Sequence, residues 1–225
     1  MKYKDTDIIN IVIAGTAGQG VITLKRLIEF ASQKAGVKRN FGSEMHGLAQ
    51  REGAITSHTR YQKEIFPDER KNLNSPLICY GDADLYICFE PVEALRRGIF
   101  ASEKTAFVLN SRTIPGIMIT ADLEEYPSIE KIKEILHGYS DEIYLMNATE
   151  LSLEKYNSNQ YVNIIMLGFA VATGRIPFIE IEHYEEVINE WLRDPEINIQ
   201  ALHIGLEKGK EIIRQTKAIP SVKTS

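Results

Sequence analysis

Cysteine is scarce: this 225-residue chain has two, Cys79 and Cys88. An iron-sulfur cluster normally takes four thiolates, so the chain cannot hold one by itself. Both cysteines lie near β-type apolar runs and read as reduced core residues rather than as a disulfide or a metal pair. Basic charge is also short. The 26 Lys and Arg against 31 Asp and Glu leave a formal charge of -5, with a pI near 5.6. A general nucleic-acid or membrane-surface binder needs an excess of cations, so both classes are disfavoured. Long apolar runs are missing as well. The longest, NIIMLGFAVATG at 163–174, is shorter than the roughly 20 residues of a membrane span. The opening MKYKDTDII carries acidic residues where a signal peptide would have its apolar core, so the expected location is cytoplasmic. With no repeat, linker or composition shift, the expectation is one domain over 1–216 and a loose tail over 217–225.

What is present is ordinary globular composition, 44% hydrophobic and 25% charged. A chain of this length buries roughly 70% of the surface it exposes when unfolded, enough for a core without disulfides or metal. Residues 8–14, IINIVIA, form an apolar, β-branched run suited to a strand buried on both faces, as in a parallel sheet. Val21, Leu24, Ile28, Ala31 and Ala35 then recur at helical spacing, and Gly36 ends the helix. Further strands are expected at 84–89, 105–110 and 142–146, with helices at 91–98 and 128–138. Pro91 is expected to open its helix, leaving Glu90 at the sheet rim as a weaker site candidate. This alternation implies an α/β fold: a doubly wound, mostly parallel sheet with helices on both faces. GAITSHTRY at 53–61 alternates instead and reads as an antiparallel or edge insertion. The last third is helical. It has an apolar stripe over 181–192, where Tyr184 and Trp191 are expected in the core, and a final helix at about 196–215. His183 and His203 lie on these helices and receive no role.

GTAGQG at 15–20 fits the dinucleotide pattern G-x-G-x-x-G/A only as Gly15, Ala17 and Gly20. A methyl group at Ala17 crowds a pyrophosphate, and no acidic residue follows at the distance that grips a ribose. The turn either permits tight packing alone or presents helix N–H groups to an anion or a partner. The densest polar cluster is EMHGLAQREG, with Glu44, His46, Gln50 and Arg51. Glu44 and His46 have the chemistry for proton transfer, and Arg51 and Arg60 for clamping a carboxylate or phosphate. Each also has a plain reading as solvated structure. Too few His and Cys stand at ligand spacing for a metal site, and no nucleophile elbow is present.

IVIAGTAGQG followed by EMHGLAQREGAITSHTR resembles the small subunit of 2-oxoacid:ferredoxin oxidoreductases, whose turn usually reads G-x-G-G-Q-G. The E-x-H-G-x-A-Q-R portion is similar to the beta subunit of indolepyruvate ferredoxin oxidoreductases. DADLYICFEPVEALR at 82–96, NIIMLGFAVATGRIP at 163–177, and Asn198, Ala201 and Gly205 also fit, so the resemblance spans almost the whole chain. Two positions depart from it: Ala17 stands for a glycine of the turn, and Glu52 for the first of two glycines after Arg51. The resemblance implies a subunit of a complex that oxidatively decarboxylates a 2-oxoacid, an aryl pyruvate such as indolepyruvate, to an acyl-coenzyme A. A partner subunit would hold thiamine diphosphate and iron-sulfur clusters, and ferredoxin would take the electrons. The small subunit would hold none of these cofactors alone and would cover the active site. Implied catalytic residues are Glu44, His46 and Arg51, with Gly15, Gly18, Gln19, Gly20 and Gln50 toward cofactor or coenzyme A. A free-standing nucleotide-binding protein or a regulatory module on a Rossmann-like fold is the alternative.

Overall fold

The computed structural model describes residues 3–46, 53–113 and 125–218. Six strands form one sheet: β1 (Ile8–Thr16), β2 (Arg39–His46), β3 (Ala54–Gln62), β4 (Leu85–Cys88), β5 (Ala106–Asn110) and β6 (Ile143–Met146), in the order β2-β3-β1-β4-β5-β6. The β1–β4, β4–β5 and β5–β6 ladders are parallel, whereas β3 is antiparallel to both neighbours. Because only β3 is reversed, five of the six strands run one way. The alternating segment is thus antiparallel but interior, paired on both edges. β1 is buried from Ile9 to Gly15, as its unbroken apolar run requires.

Helices cover both faces. On one lie α1 (Val21–Lys34), α5 (Val162–Ala172), α6 (Ile181–Trp191) and α7 (Pro195–Ala218). Their side chains, such as Leu24, Ile28, Phe169 and Tyr184, meet Ile9, Ile11 and Ile13 of β1. On the other lie α2 (Pro91–Arg96) and α3 (Ile129–His137), over Val12, Tyr86, Cys88 and Phe107. The short α4 (Ala148–Tyr156) follows β6. The α5–α7 crossing brings two backbones together. A Cβ on Gly168 would stand 2.0 Å from the Leu202 carbonyl oxygen, and one on Gly205 2.0 Å from that of Ile165.

From β1 the chain passes through α1 to β2 and β3 on one side; from β4 it passes through α2 to β5 on the other. The strand order therefore reverses between β1 and β4, and in open α/β sheets ligands bind beyond the strand C-termini at such a point. Among the described residues, no helix is long and apolar enough to cross a membrane.

Several local expectations need correction. Cys79 is exposed, and only Cys88 belongs to the core. Tyr184 is fully buried, but Trp191 is 59% exposed and stacks on Phe30 at 4.2 Å; it lies at the last residue of α6, where the apolar stripe runs off the sheet. His183 accepts from the Glu180 N–H at 3.0 Å and completes a capping box, and His203 Nε2 lies 2.6 Å from Glu185. Both histidines therefore have structural partners. Helix α7 continues through Ala218, two residues into the expected tail; residues 219–225 lie outside the described residues.

Candidate functional site

The turn joining β1 to α1 is held by its own glutamine. Gln19 Oε1 accepts from the Thr16 N–H at 2.7 Å, and Gln19 Nε2 donates to the Phe89 carbonyl at 3.4 Å, tying the turn to the end of β4. Gly15 is glycine because a Cβ there would stand 2.7 Å from Gln19 Oε1 and 3.0 Å from Phe89 Cβ. Gly18 and Gly20 have φ of +89° and +82°, a region that costs residues with a side chain. The Ala17 N–H donates to the Gly53 carbonyl at 3.1 Å. The position that would face a pyrophosphate in a dinucleotide fold is therefore engaged within the chain.

Beside this turn a cleft of about 420 Å³ opens at the C-terminal end of the sheet. Gly18, Gln19 and Gly20 form one wall, Asn110, Arg112 and Thr149 a second, and Gln160 and Asn163 a third. Helix α1 starts here without a side-chain cap, and its first-turn N–H groups carry the positive end of the helix dipole; at the start of α5 the Val162 N–H donates to Asn159 O at 3.4 Å and the Ile164 N–H to Asn163 Oδ1 at 3.0 Å. Arg112 is exposed and, among the described residues, is the one charged residue of the lining, with no carboxylate beside it. Asn110 is buried and fully used: it donates to Phe89 O at 3.3 Å and Thr149 Oγ1 at 3.0 Å, and accepts from Ala148 N–H at 3.0 Å. The cleft is thus a rigid frame of amides around one cation, suited to an anionic group.

The other expected residues are distributed differently. Glu44 lies on the α1 face of β2, its Oε1 3.2 Å from Lys25 Nζ, and is not part of the cleft lining. The backbone of His46 ends β2; Gln50 and Arg51 lie outside the described residues. Arg60 does not act as an anion clamp. Its guanidinium donates to Asn10 Oδ1 at 2.7 Å, Ser75 O at 3.0 Å and Leu77 O at 2.7 Å, anchoring the crossing from β3 toward β4. His58 shares that face. Its Nδ1 accepts from the Ile78 N–H at 3.2 Å, its ring edge meets Phe100, and burial, with Arg60 and Arg97 nearby, pushes it down to about 4. It is a neutral structural histidine.

Glu90 sits at the sheet rim, where Pro91 was expected to leave it. Its carboxylate caps α2 by accepting from Val92 and Glu93 N–H at 2.9 and 3.2 Å, and it also accepts from the Tyr126 hydroxyl. Burial and that carboxylate hold the Tyr126 phenol well above its usual range. Sequence reasoning missed Arg112, Asn110 and Asn163. The signal was available at the end of the expected strand 105–110, since polar residues just past a parallel strand face the ligand edge.

Residues 10–208 match the pyruvate ferredoxin/flavodoxin oxidoreductase family. The indolepyruvate oxidoreductase subunit IorB of Pyrococcus horikoshii is 31% identical over 207 residues, covering 91% of this chain and 97% of its own. The solved gamma subunit of a keto/oxoacid ferredoxin oxidoreductase from Geobacter sulfurreducens PCA superposes with a TM-score of 0.62 at 16% identity, covering 92% of this chain and 98% of that one. The 2-oxoglutarate:ferredoxin oxidoreductase of Magnetococcus marinus, solved with 2-oxoglutarate, coenzyme A and succinyl-CoA bound, superposes with a TM-score of 0.61 at 18% identity; the match covers 92% of this chain and 31% of that one. Matched over most of its length, this chain belongs to the pyruvate ferredoxin/flavodoxin oxidoreductase family.

Proposed function

We propose that this chain is the small subunit of a 2-oxoacid:ferredoxin oxidoreductase acting on an aryl pyruvate of the indolepyruvate kind. In this reading its glycine-turn cleft and its 44–51 segment form the wall that covers a partner's active site. The observation that carries the reading is the cleft: the uncapped start of α1 and the cation Arg112, with no carboxylate among the described lining residues, at the C-terminal edge of the sheet. That set of groups suits a phosphate or carboxylate, as coenzyme A and a 2-oxoacid both present. Gly18, with open space where a Cβ would stand, leaves room for close approach.

The chain's own residues do not suit the redox centres. Its two cysteines are split between surface and core, so the thiolates of a cluster belong to the partner. Thiamine diphosphate and iron-sulfur clusters on that partner would supply the decarboxylation and electron-transfer chemistry. What this chain contributes is orientation and exclusion of water. Arg112 and the first-turn N–H groups of α1 fix the anionic part of coenzyme A, while the Asn110 frame holds the wall in place. The free-standing dinucleotide reading is disfavoured by the Ala17 N–H, which is bonded to Gly53.

Co-expression with a thiamine- and cluster-bearing partner subunit tests the assignment, and the two should purify together with 2-oxoacid:ferredoxin activity. In that complex Arg112→Ala should raise the KM for coenzyme A by about tenfold to a hundredfold, the worth of one lost charge-assisted hydrogen bond. An unchanged KM would remove Arg112 and the cleft from the proposal.

A further inference from the structure

Beyond its first turn, α1 presents a second lined surface. Thr23, Arg26, Leu27 and Phe30 recur at helical spacing and, with Trp191 and Leu192 at the end of α6, line a hollow of about 150 Å³. The Trp191 ring stacks on Phe30 with the two planes 29° apart, and Leu27 is buried. Most of the Trp191 surface stays in solvent, so the chain's own fold makes little use of its largest aromatic side chain. A single exposed apolar residue is ordinary on a folded protein. Two stacked rings beside an apolar hollow are a different feature, and a hollow of this size, about that of a cavity that takes up benzene, accepts one Phe or Leu side chain.

The lining also carries a cation without a counter-ion. Arg26 is exposed and forms no hydrogen bond or ion pair among the described residues. The carboxylates around it are already engaged. Glu29, which feels the charge of Arg26, is paired with Lys25 at 3.4 Å, and Glu186 and Glu190 of α6 are both paired with Lys34. Arg193 and Asp194, which follow Leu192, offset each other. The hollow is therefore locally positive on a chain whose formal charge is -5. Trp, Phe and Arg together are the residue types enriched where protein interfaces bury their centre. The hollow also adjoins the cleft, because both use α1: from Gly20 to Arg26 the helix axis rises roughly 9 Å. A partner laid over the cleft from the α1 side meets Arg26 next.

We propose that the hollow between α1 and α6 is a docking site for the thiamine- and cluster-bearing partner subunit, which inserts one apolar side chain against Phe30 and Trp191 and sets a carboxylate on Arg26. The apolar contact supplies affinity, and the Arg26–carboxylate pair fixes the direction of approach. A second copy of this chain is the wrong occupant: a two-fold contact through this patch would bring Arg26 against its own counterpart, with no free carboxylate to separate the like charges. The docking site rests on the reading of this chain as the small subunit of such a complex.

Trp191 is the one tryptophan, so the full chain grown with fluorotryptophan gives a single fluorine resonance to follow as unlabelled partner subunit is added. In the chain alone the resonance should move when water is exchanged for heavy water, as that of a hydrated indole does. In the complex it should shift and lose that sensitivity. Trp191→Ala should raise the dissociation constant of the complex by about thirtyfold, the loss at an interface hot spot. Arg26→Glu should raise it by at least about tenfold through like-charge contact, and Arg26→Lys should bind nearly as wild type. Arg26 is exposed and unpaired, so its variants keep the fold and hold the test open if Trp191→Ala does not. A complex in which the resonance keeps the position and solvent sensitivity of the free chain would overturn the docking site and leave the subunit reading standing. So would a shielded Trp191 with an affinity that Arg26→Glu leaves unchanged, or shielding that grows with the concentration of this chain alone, which marks a second copy as the occupant. Failure of the wild-type chain to form any complex would instead refute the subunit reading, and the docking site with it.

Discussion

Gly205→Ala offers a test in which helix propensity and packing give opposite signs. In an exposed helix interior, alanine is more stable than glycine by about 1 kcal/mol, so propensity alone makes the change favourable. In α7 the new methyl group would lie 2.0 Å from the Ile165 carbonyl oxygen and 2.8 Å from the Ile165 carbonyl carbon. Both obstacles are backbone of α5, so no rotamer change relieves them. The two helices must separate by about 1 Å or more, loosening Phe169 and the core around it, and over-packing of this kind costs about 1–3 kcal/mol and sometimes more. Backbone atoms this close put the cost at the upper end, about 3 kcal/mol, so after the propensity gain of about 1 kcal/mol the net expectation is destabilisation by about 2 kcal/mol, or a melting temperature lower by about 4–8 °C for a chain of this size. Gly168→Ala meets Leu202 O at 2.0 Å across the same crossing and should cost a similar amount. The double variant should cost less than the sum, since one separation serves both. Urea unfolding of the three variants measures this. A Gly205→Ala protein as stable as wild type would refute the close crossing.

Two further outcomes follow from single residues. Folded His58 titrates at about 4 against 6.5 unfolded, so between those values the unfolded chain binds the extra proton. Stability should therefore fall as pH drops below 6.5, by about 2 kcal/mol at pH 5, and the loss should be complete below 4. His58→Asn, which keeps an acceptor for the Ile78 N–H, should flatten that part of the curve in urea unfolding at pH 7 and 5; equal pH dependence in both proteins would count against a buried neutral His58. Trp191 is the one tryptophan and is 59% exposed, so intrinsic fluorescence should show the long-wavelength emission of a hydrated indole. Trp191→Ala should cost only about 0.5–1.5 kcal/mol, the worth of its stacking on Phe30, and a loss comparable to a core truncation would show that the helix end is placed wrongly.

By itself the sequence determined those elements whose pattern is local. The run IINIVIA had to be an interior strand, the glycines after it had to turn into a helix, and Pro91 had to open α2 with Glu90 before it, because each follows from periodicity, φ restriction or capping within a few residues. The alternating strand 53–61 was legible as antiparallel for the same reason. Tertiary structure decided what depends on residues far apart in the chain. It spent Arg60 on Asn10 and two carbonyls, took Glu44 onto the α1 face beside Lys25, and left Trp191 in solvent where α6 runs past the sheet. It also gathered Gly18, Arg112, Asn110 and Asn163, from three separate stretches, around one cleft. No local pattern carries that information, since which polar side chains converge is fixed by strand order, and strand order is set by how whole helices and strands bury one another.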